Sequence, residues 1–269
     1  VISTLAAAAL VYGFPVGKPL DYRLEVGLEG LIPVLGGEQA TALVDLTLRV
    51  EGLPPEGGLQ RARSEILEAA ISFNGAPLPV GVEAVRELFP KSTISHTPRG
   101  EIVATGATGV QLPVRLPGLD VRRFPDISFM PVVFPEGPVQ IGGSWTFRKA
   151  FGDSDATFVC TLTKDDGESA TIGLKIEQTY ETLEDAAMQI VAGVEDATAR
   201  VRTEVKGEGE AVFDRTLGVF RSSRIVSTAT SAVTCIADGT VTERRLTTTV
   251  RLSRVERSPT GERDQEQTE

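Results

Sequence analysis

The chain has 269 residues, with 37 acidic against 27 basic side chains, a net charge of −10 and a pI near 4.8. So acidic a surface repels phosphate backbones and anionic headgroups, which argues against a nucleic-acid partner. A composition of 41% hydrophobic and 24% charged residues is that of a folded protein, and the length allows one large all-β domain or two ordinary ones.

Residues 1–16 carry no charged side chain and include the run Ala6-Ala7-Ala8-Ala9. This stretch reads as the apolar part of a secretory signal peptide, with a buried strand or loop as the alternative. Gly13 and Pro15 break it, so it makes a poor transmembrane helix. No cysteine precedes Cys160, so a lipid anchor near this segment has no attachment point. The expected address is secreted or periplasmic.

Alternation then dominates. Leu20, Tyr22, Leu24, Val26 and Leu28 face one way and Asp21, Arg23, Glu25 and Glu29 the other, the period of a strand with one face on a core and one in water. Ala42, Val44, Leu46, Leu48 and Val50 repeat the pattern against Asp45 and Arg49. Leu67, Ala69, Ile71 and Phe73 follow, ending in the hairpin signal Asn74-Gly75. Residues 82–89 form the best short helix, because Val82, Val85 and Phe89 share a face and Pro90 stops it. A turn at Pro98-Arg99-Gly100 joins strands at 93–95 and 102–104.

Residues 111–138 hold six prolines and no sustained period, which predicts an ordered connector and a subdomain boundary. Beyond it lie strands at 144–147 and around Phe158, Cys160 and Leu162. The turn Asp165-Asp166-Gly167 leads to a strand through Ile172 to Tyr180. Leu183 to Val194 has an amphipathic helical face. The strictest ribbon is 201–213, followed by strands over 219–236 and 241–255; Gly207 and Gly209 inside the ribbon predict a bulge or bend. The polar tail 256–269 is expected to be disordered. The organisation expected is thus a leader remnant (1–16), an N-terminal β subdomain (17–110), the connector (111–138), a C-terminal β subdomain (139–255) and the tail. The fold class is mainly β, with curved antiparallel, half-barrel-like sheets, one or two short helices, and two halves that look like diverged copies.

Little here supports chemistry. The single histidine, His96, lies on a predicted hairpin arm without a Gly-x-Ser-x-Gly elbow, and a solvent-facing role is expected for it. Two cysteines and one histidine are too few for a zinc site. The acids at 153–155 and 165–168 read as solvated turn residues. Aromatic platforms for sugars are scarce, and no glycine loop for phosphate precedes a helix. No enzymatic activity, metal or cofactor is expected. Cys160 and Cys235 fall on the apolar parity of their strands and either meet as a disulfide or stay two buried thiols.

The stretch Phe134-Pro135-Glu136-Gly137-Pro138-Val139-Gln140-Ile141-Gly142-Gly143-Ser144-Trp145, with the later run from Gly207 to Asp214 and Gly218, resembles a group of uncharacterised bacterial secreted proteins and lipoproteins. The resemblance implies an envelope protein with curved antiparallel sheets, akin to the half-barrels of lipoprotein-localisation carriers, and no catalytic residues. Two functions follow. In the first, a concave face lined by Leu24, Val26, Leu46, Leu48, Ile225 and Val233 holds a lipid or acyl chain, unless the two halves simply fill it. In the second, the protein serves envelope structure or assembly through protein contacts, with Thr247-Thr248-Thr249 as an edge for strand addition.

Overall fold

A computed structural model describes residues 9–32, 39–106, 116, 117, 119, 124–151, 154–187 and 189–256. The start of the expected leader (1–8), much of the connector and the tail from 257 lie outside the described residues.

The elements run β1 (Leu20–Leu31), β2 (Gln39–Glu56), β3 (Leu59–Phe73), β4 (Ala76–Leu78), α1 (Val82–Leu88), β5 (Ser92–His96), β6 (Ile102–Thr105) and α2 (Asp126–Phe129). They continue as β7 (Ser144–Phe151), β8 (Ser154–Asp165), β9 (Ser169–Asp185), β10 (Ile190–Val191), β11 (Ala199–Asp214), β12 (Val219–Cys235) and β13 (Val241–Arg254). All strands join one antiparallel sheet in the order β6-β5-β3-β2-β1-β13-β12-β11-β9-β8-β7, with β4 beside β3 and β10 beside β9. The mainly β, curved antiparallel architecture is the one the alternation predicts, and α1 occupies the expected place.

The topology is two meanders with one long crossing. The chain steps outward from β1 to the edge strand β6, passes to the opposite edge, and meanders back from β7 to β13, which pairs with β1 from Tyr22–Arg254 to Gly30–Leu246. The connector must therefore traverse the sheet from one edge to the other. The threonine-rich stretch 247–249, read from sequence as an edge, lies in a central strand flanked by β1 and β12.

Register assigns the faces. Tyr22, Leu24 and Val26 stand opposite Leu48, Leu46 and Val44 on one side and Arg254, Leu252 and Val250 on the other; this inner face continues through Ile225, Gly209 and Leu174 to Cys160. The outer face carries charge pairs across β1 and β2: Arg49 Nε donates to Asp21 (2.8 Å) and Arg23 Nη2 to Asp45 (2.6 Å). Water on that side explains why alternation was so clean.

Two local expectations change. Residues 183–194 are not a helix, because β9 continues to Asp185 along an unbroken ladder with β11, then turns through Gln189 (φ 55°) into β10. Inter-strand hydrogen bonds along the whole length of β9 outweigh a weak local helical preference. The bulge falls at Val212/Phe213, three residues beyond Gly209 in the same strand. Gly209 instead permits close approach, since a Cβ there would stand 2.4 Å from the Arg224 carbonyl oxygen. The resulting curl is visible in an ion pair between Arg244 of β13 and Glu184 of β9 (3.0 Å), residues three strands apart that both face inward.

The segment before β1 is built into the fold. Leu10, Tyr12 and Phe14 are core residues, exposed by 5%, 1% and 7%. Tyr12 N–H donates to the Pro98 carbonyl (2.8 Å), Gly13 N–H to Gly218 (2.9 Å), and Val16 bridges to Gly52. Residues 9–16 thus cross the end of the sheet, and this described part of the apolar N-terminal stretch belongs to the folded body. Gly52 makes this crossing feasible, because a Cβ there would lie 2.2 Å from the Phe14 carbonyl oxygen. Gly52→Ala is expected to cost about 1–3 kcal/mol through forced overpacking, read as a lowered denaturation midpoint with an unchanged slope.

The cysteines cannot bridge. Cys160 lies in the register row of Leu174, Gly209 and Ile225, whereas Cys235 is ten residues further along β12 and three strands across. Ten residues of strand span about 33 Å, far beyond the ~7 Å that a disulfide tolerates between Cα atoms. Both are free thiols. Burial pushes the Cys160 thiol up to about 12, with Lys149 opposing, so it is inert as a nucleophile.

Candidate functional site: the inner face and its strap

Within the described part of the connector, residues 124–134 lie over the inner face as a strap. Its anchoring compensates for having no strand partner. Asp126, on the one-turn helix α2, is 5% exposed and accepts 2.7 Å hydrogen bonds from Ser64 of β3 and Ser92 of β5. Burial raises its pKa, and the two hydroxyls only partly offset this. Five successive carbonyls then receive side-chain donors: Met130 (2.9 Å) and Pro131 (3.4 Å) from Lys149 Nζ, Val132 from the Tyr12 hydroxyl, Val133 from Trp145 Nε1, and Phe134 from Arg99 Nε. Buried backbone groups left unpaired are costly, so these donors let an irregular segment run through the interior.

Aromatic rings close one end of the concavity. Tyr12, Phe129, Phe134, Phe213 and Phe220 are each at most 1% exposed. Phe134 lies 5.0 Å from Tyr12 and 4.8 Å from Phe213 between ring centroids, the latter edge to face. His96 packs into this group and is fully buried, a correction to its expected solvent-facing role. It stands on the inward parity of β5, opposite Gln60 of β3.

Beyond the plug, the strap leaves a void of about 60 Å³ against the sheet. Ile127, Ser128 and Pro131 form its roof; Phe158, Ile176, Val205, Ile225 and Val250 form most of its floor, with Ser223 and Ser227 adding hydroxyls. Lys149 reaches its rim, 5.6 and 5.9 Å from the ring centres of Phe147 and Phe158. The lining is predominantly apolar, in contrast to the shallow, charged depressions on the outer face around Lys175, Glu208 and Arg224.

The structure scatters the six residues proposed from sequence to line a cavity. Ile225 borders the void. Leu24, Val26, Leu46 and Leu48 are core residues at 0–2% exposure, and Val233 packs with Ala199 and Val201 in a separate small cluster. Ile176, Val205 and Val250 were missed, although their inward parity beside the small residues Gly207, Gly209, Ser223 and Ser227 was readable: small side chains on a concave face leave room. Ile127 and Pro131 had no periodic signal at all.

Elsewhere, the turn acids have local duties. Asp165 pairs with Arg215, and Asp166 accepts from the backbone N–H groups of Glu168 and Ser169. Among the described residues, no cluster of three His, Cys, Asp or Glu side chains is arranged to hold a metal, and no helix is long and apolar enough to cross a membrane.

No family model matches the chain, and no curated protein matches it. A solved lipovitellin structure, described as showing lipid–protein interactions in lipovitellin, superposes on 90% of this chain with a TM-score of 0.54 and 12% sequence identity. The likeness is one of fold. This chain spans 25% of that lipovitellin chain. A protein of unknown function with a hot-dog fold from Alicyclobacillus acidocaldarius aligns over 91% of this chain and 81% of its own at 13% identity, but with a TM-score of 0.11.

Proposed function

We propose that the protein is a non-enzymatic, secreted or envelope protein that binds an apolar ligand, a lipid or acyl chain, on the inner face of its curved sheet beneath the strap. The observation that carries this reading is the apolar void between Ile127 and Pro131 above and Val205, Ile225 and Val250 below. Apolar concavities with a few polar groups are the usual form of small-molecule sites. The lipovitellin likeness supports it, since that structure is described by its lipid interactions. At about 60 Å³ the void is well below the roughly 300 Å³ at which ligand pockets begin, so a whole acyl chain fits only if the strap or the lining side chains move.

The alternative, an assembly role through strand addition, has less support. Strand β7 is an edge whose Lys149 points inward, a known protection against edge-to-edge pairing, and β6 offers only four residues. Both readings are separated by titrating the protein with a fluorescent long-chain fatty acid and with phosphatidylcholine vesicles. Saturable uptake of either is expected, weakened at least about tenfold, or ~1.4 kcal/mol, by Val205→Trp, which fills the void. Wild-type protein that takes up neither probe would sink the lipid reading.

A further inference from the structure

The buried imidazole of His96 has one ring nitrogen unaccounted for. Nδ1 lies 2.8 Å from the Thr97 carbonyl oxygen, so it carries the proton, whereas Nε2 is buried with no hydrogen-bond partner among the described residues. Around it stand the rings of the crossing segment: Tyr12 at 6.0 Å and Phe14 at 5.8 Å between centroids, both edge-on. Neutral, the ring is a tolerable member of an aromatic cluster. Protonated, it becomes a cation whose second N–H has no acceptor, inside a desolvated site.

The neighbouring charged and titratable groups give it no relief. The Tyr12 hydroxyl donates to Val132, and burial holds the phenol neutral. Asp126 of α2 is committed to Ser64 and Ser92. Arg99, in the turn after β5, faces Phe134 and Glu136, while Asp214, near the Gly218 turn, is taken by Arg221 and Arg254. Arg61 and Arg63 of β3 lie on the outer face with Glu56 and Glu51.

We infer that His96 is an acid-sensitive latch: its protonation expels residues 9–16 from the end of the sheet and opens the aromatic end of the concavity. The segment suits such a release because, among the described residues, its backbone is tied to the sheet end through Tyr12 to Pro98, Gly13 to Gly218 and the Val16–Gly52 bridge. Burial depresses the affinity of this imidazole for a proton, in the direction the latch requires. The latch acts as pH falls below the ordinary imidazole value of 6.5. Asp126 titrates in the opposite sense, since its raised pKa makes the closed form bind a proton more readily as pH falls. The inference concerns closure of the sheet end and holds whether or not a lipid binds.

Hydrogen exchange at the Tyr12 and Gly13 amides tests it. Corrected for the intrinsic pH dependence of exchange, their rates are expected to rise by up to about tenfold per pH unit below the imidazole range, while amides of β1 and β13 stay protected. His96→Phe, which keeps a ring without a titrating nitrogen, should remove that rise. Protection that is unchanged down to about pH 5, or a rise that persists in His96→Phe, overturns the latch. Should that variant fail to fold, the wild-type imidazole decides. It is the chain's one histidine, so its NMR signal is unambiguous, and it must titrate below 6.5 together with the release. Titration at the ordinary value with the segment still in place overturns the inference.

Discussion

Tyr12→Ala is expected to lower stability by about 3–5 kcal/mol, the range for losing a fully buried aromatic side chain. Tyr12 is 1% exposed, and its ring meets Phe14, His96, Phe134, Phe213 and Phe220. It also joins parts of the chain far apart in sequence, since its amide reaches Pro98 and its hydroxyl reaches Val132 of the strap (2.8 Å). Tyr12→Phe separates the two contributions. It keeps the ring and leaves one buried carbonyl short of a donor, for a cost of about 1 kcal/mol. Urea denaturation measures both. A loss below about 1 kcal/mol for the alanine variant would mean that residues 9–16 do not hold this position in solution.

The second large effect is expected at Asp214, at the end of β11. Its carboxylate is 3% exposed and accepts from Arg221 (2.9 Å), Arg254 (3.1 Å) and the backbone N–H groups of Thr216 and Leu217. Burial on its own would raise its pKa, but Arg221, the Leu217 amide and Arg254 outweigh it and hold the group below the ordinary carboxylate value. Asp214→Ala removes the acceptor from four donors and leaves Arg254 largely buried without it, at a cost of about 3 kcal/mol. The sign with pH follows from linkage. A depressed carboxylate pKa stabilises the fold above the unfolded value, near 3.8, and that contribution is lost as pH falls through the folded value. Stability measured by denaturation across pH should therefore fall in two stages, first through the His96 window below 6.5 and then through the Asp214 window below 3.8. Asp214→Ala should diminish the second stage, to which Glu65, Asp166 and Asp238 also contribute, and leave the first, whereas a profile identical to wild type would remove Asp214 from this role.

These effects share a physical origin. The sheet alone is an open surface with an apolar side, and what completes it is two irregular segments, residues 9–16 and 124–134, laid across that side. Neither has a ladder of its own, so each relies on side-chain donors, glycine clearances and ring contacts. The proposed binding site and the proposed latch both lie where these segments meet the sheet.

The strands and their faces were legible because alternation is a local consequence of the pleat: inward Leu24 and outward Glu25 announce themselves within a few residues. The same local signal placed α1 and the turns at Asn74-Gly75 and Asp165-Asp166-Gly167. It could not order the strands, since pairing β1 with β13 joins residues more than two hundred positions apart, and it could not show that 247–249 is central. It also could not show that Leu10, Tyr12 and Phe14 pack in the core, and it misread His96 as solvent-facing. Burial here comes from long-range contacts that no nearby residue supplies, those of Tyr12 with Phe134, Phe213 and Phe220, of Phe14 with Phe129, and of His96 with Tyr12 and Phe14. The candidate site divides in the same way. Ile225 was named from its parity on β12, but Ile127 and Pro131 enter the lining because the chain must cross from β6 to β7. The sequence by itself determined which residues turn inward. Only the tertiary structure decided which of those inward faces is filled, which is strapped over, and which leaves a void, because these depend on the long-range order and curl of the strands.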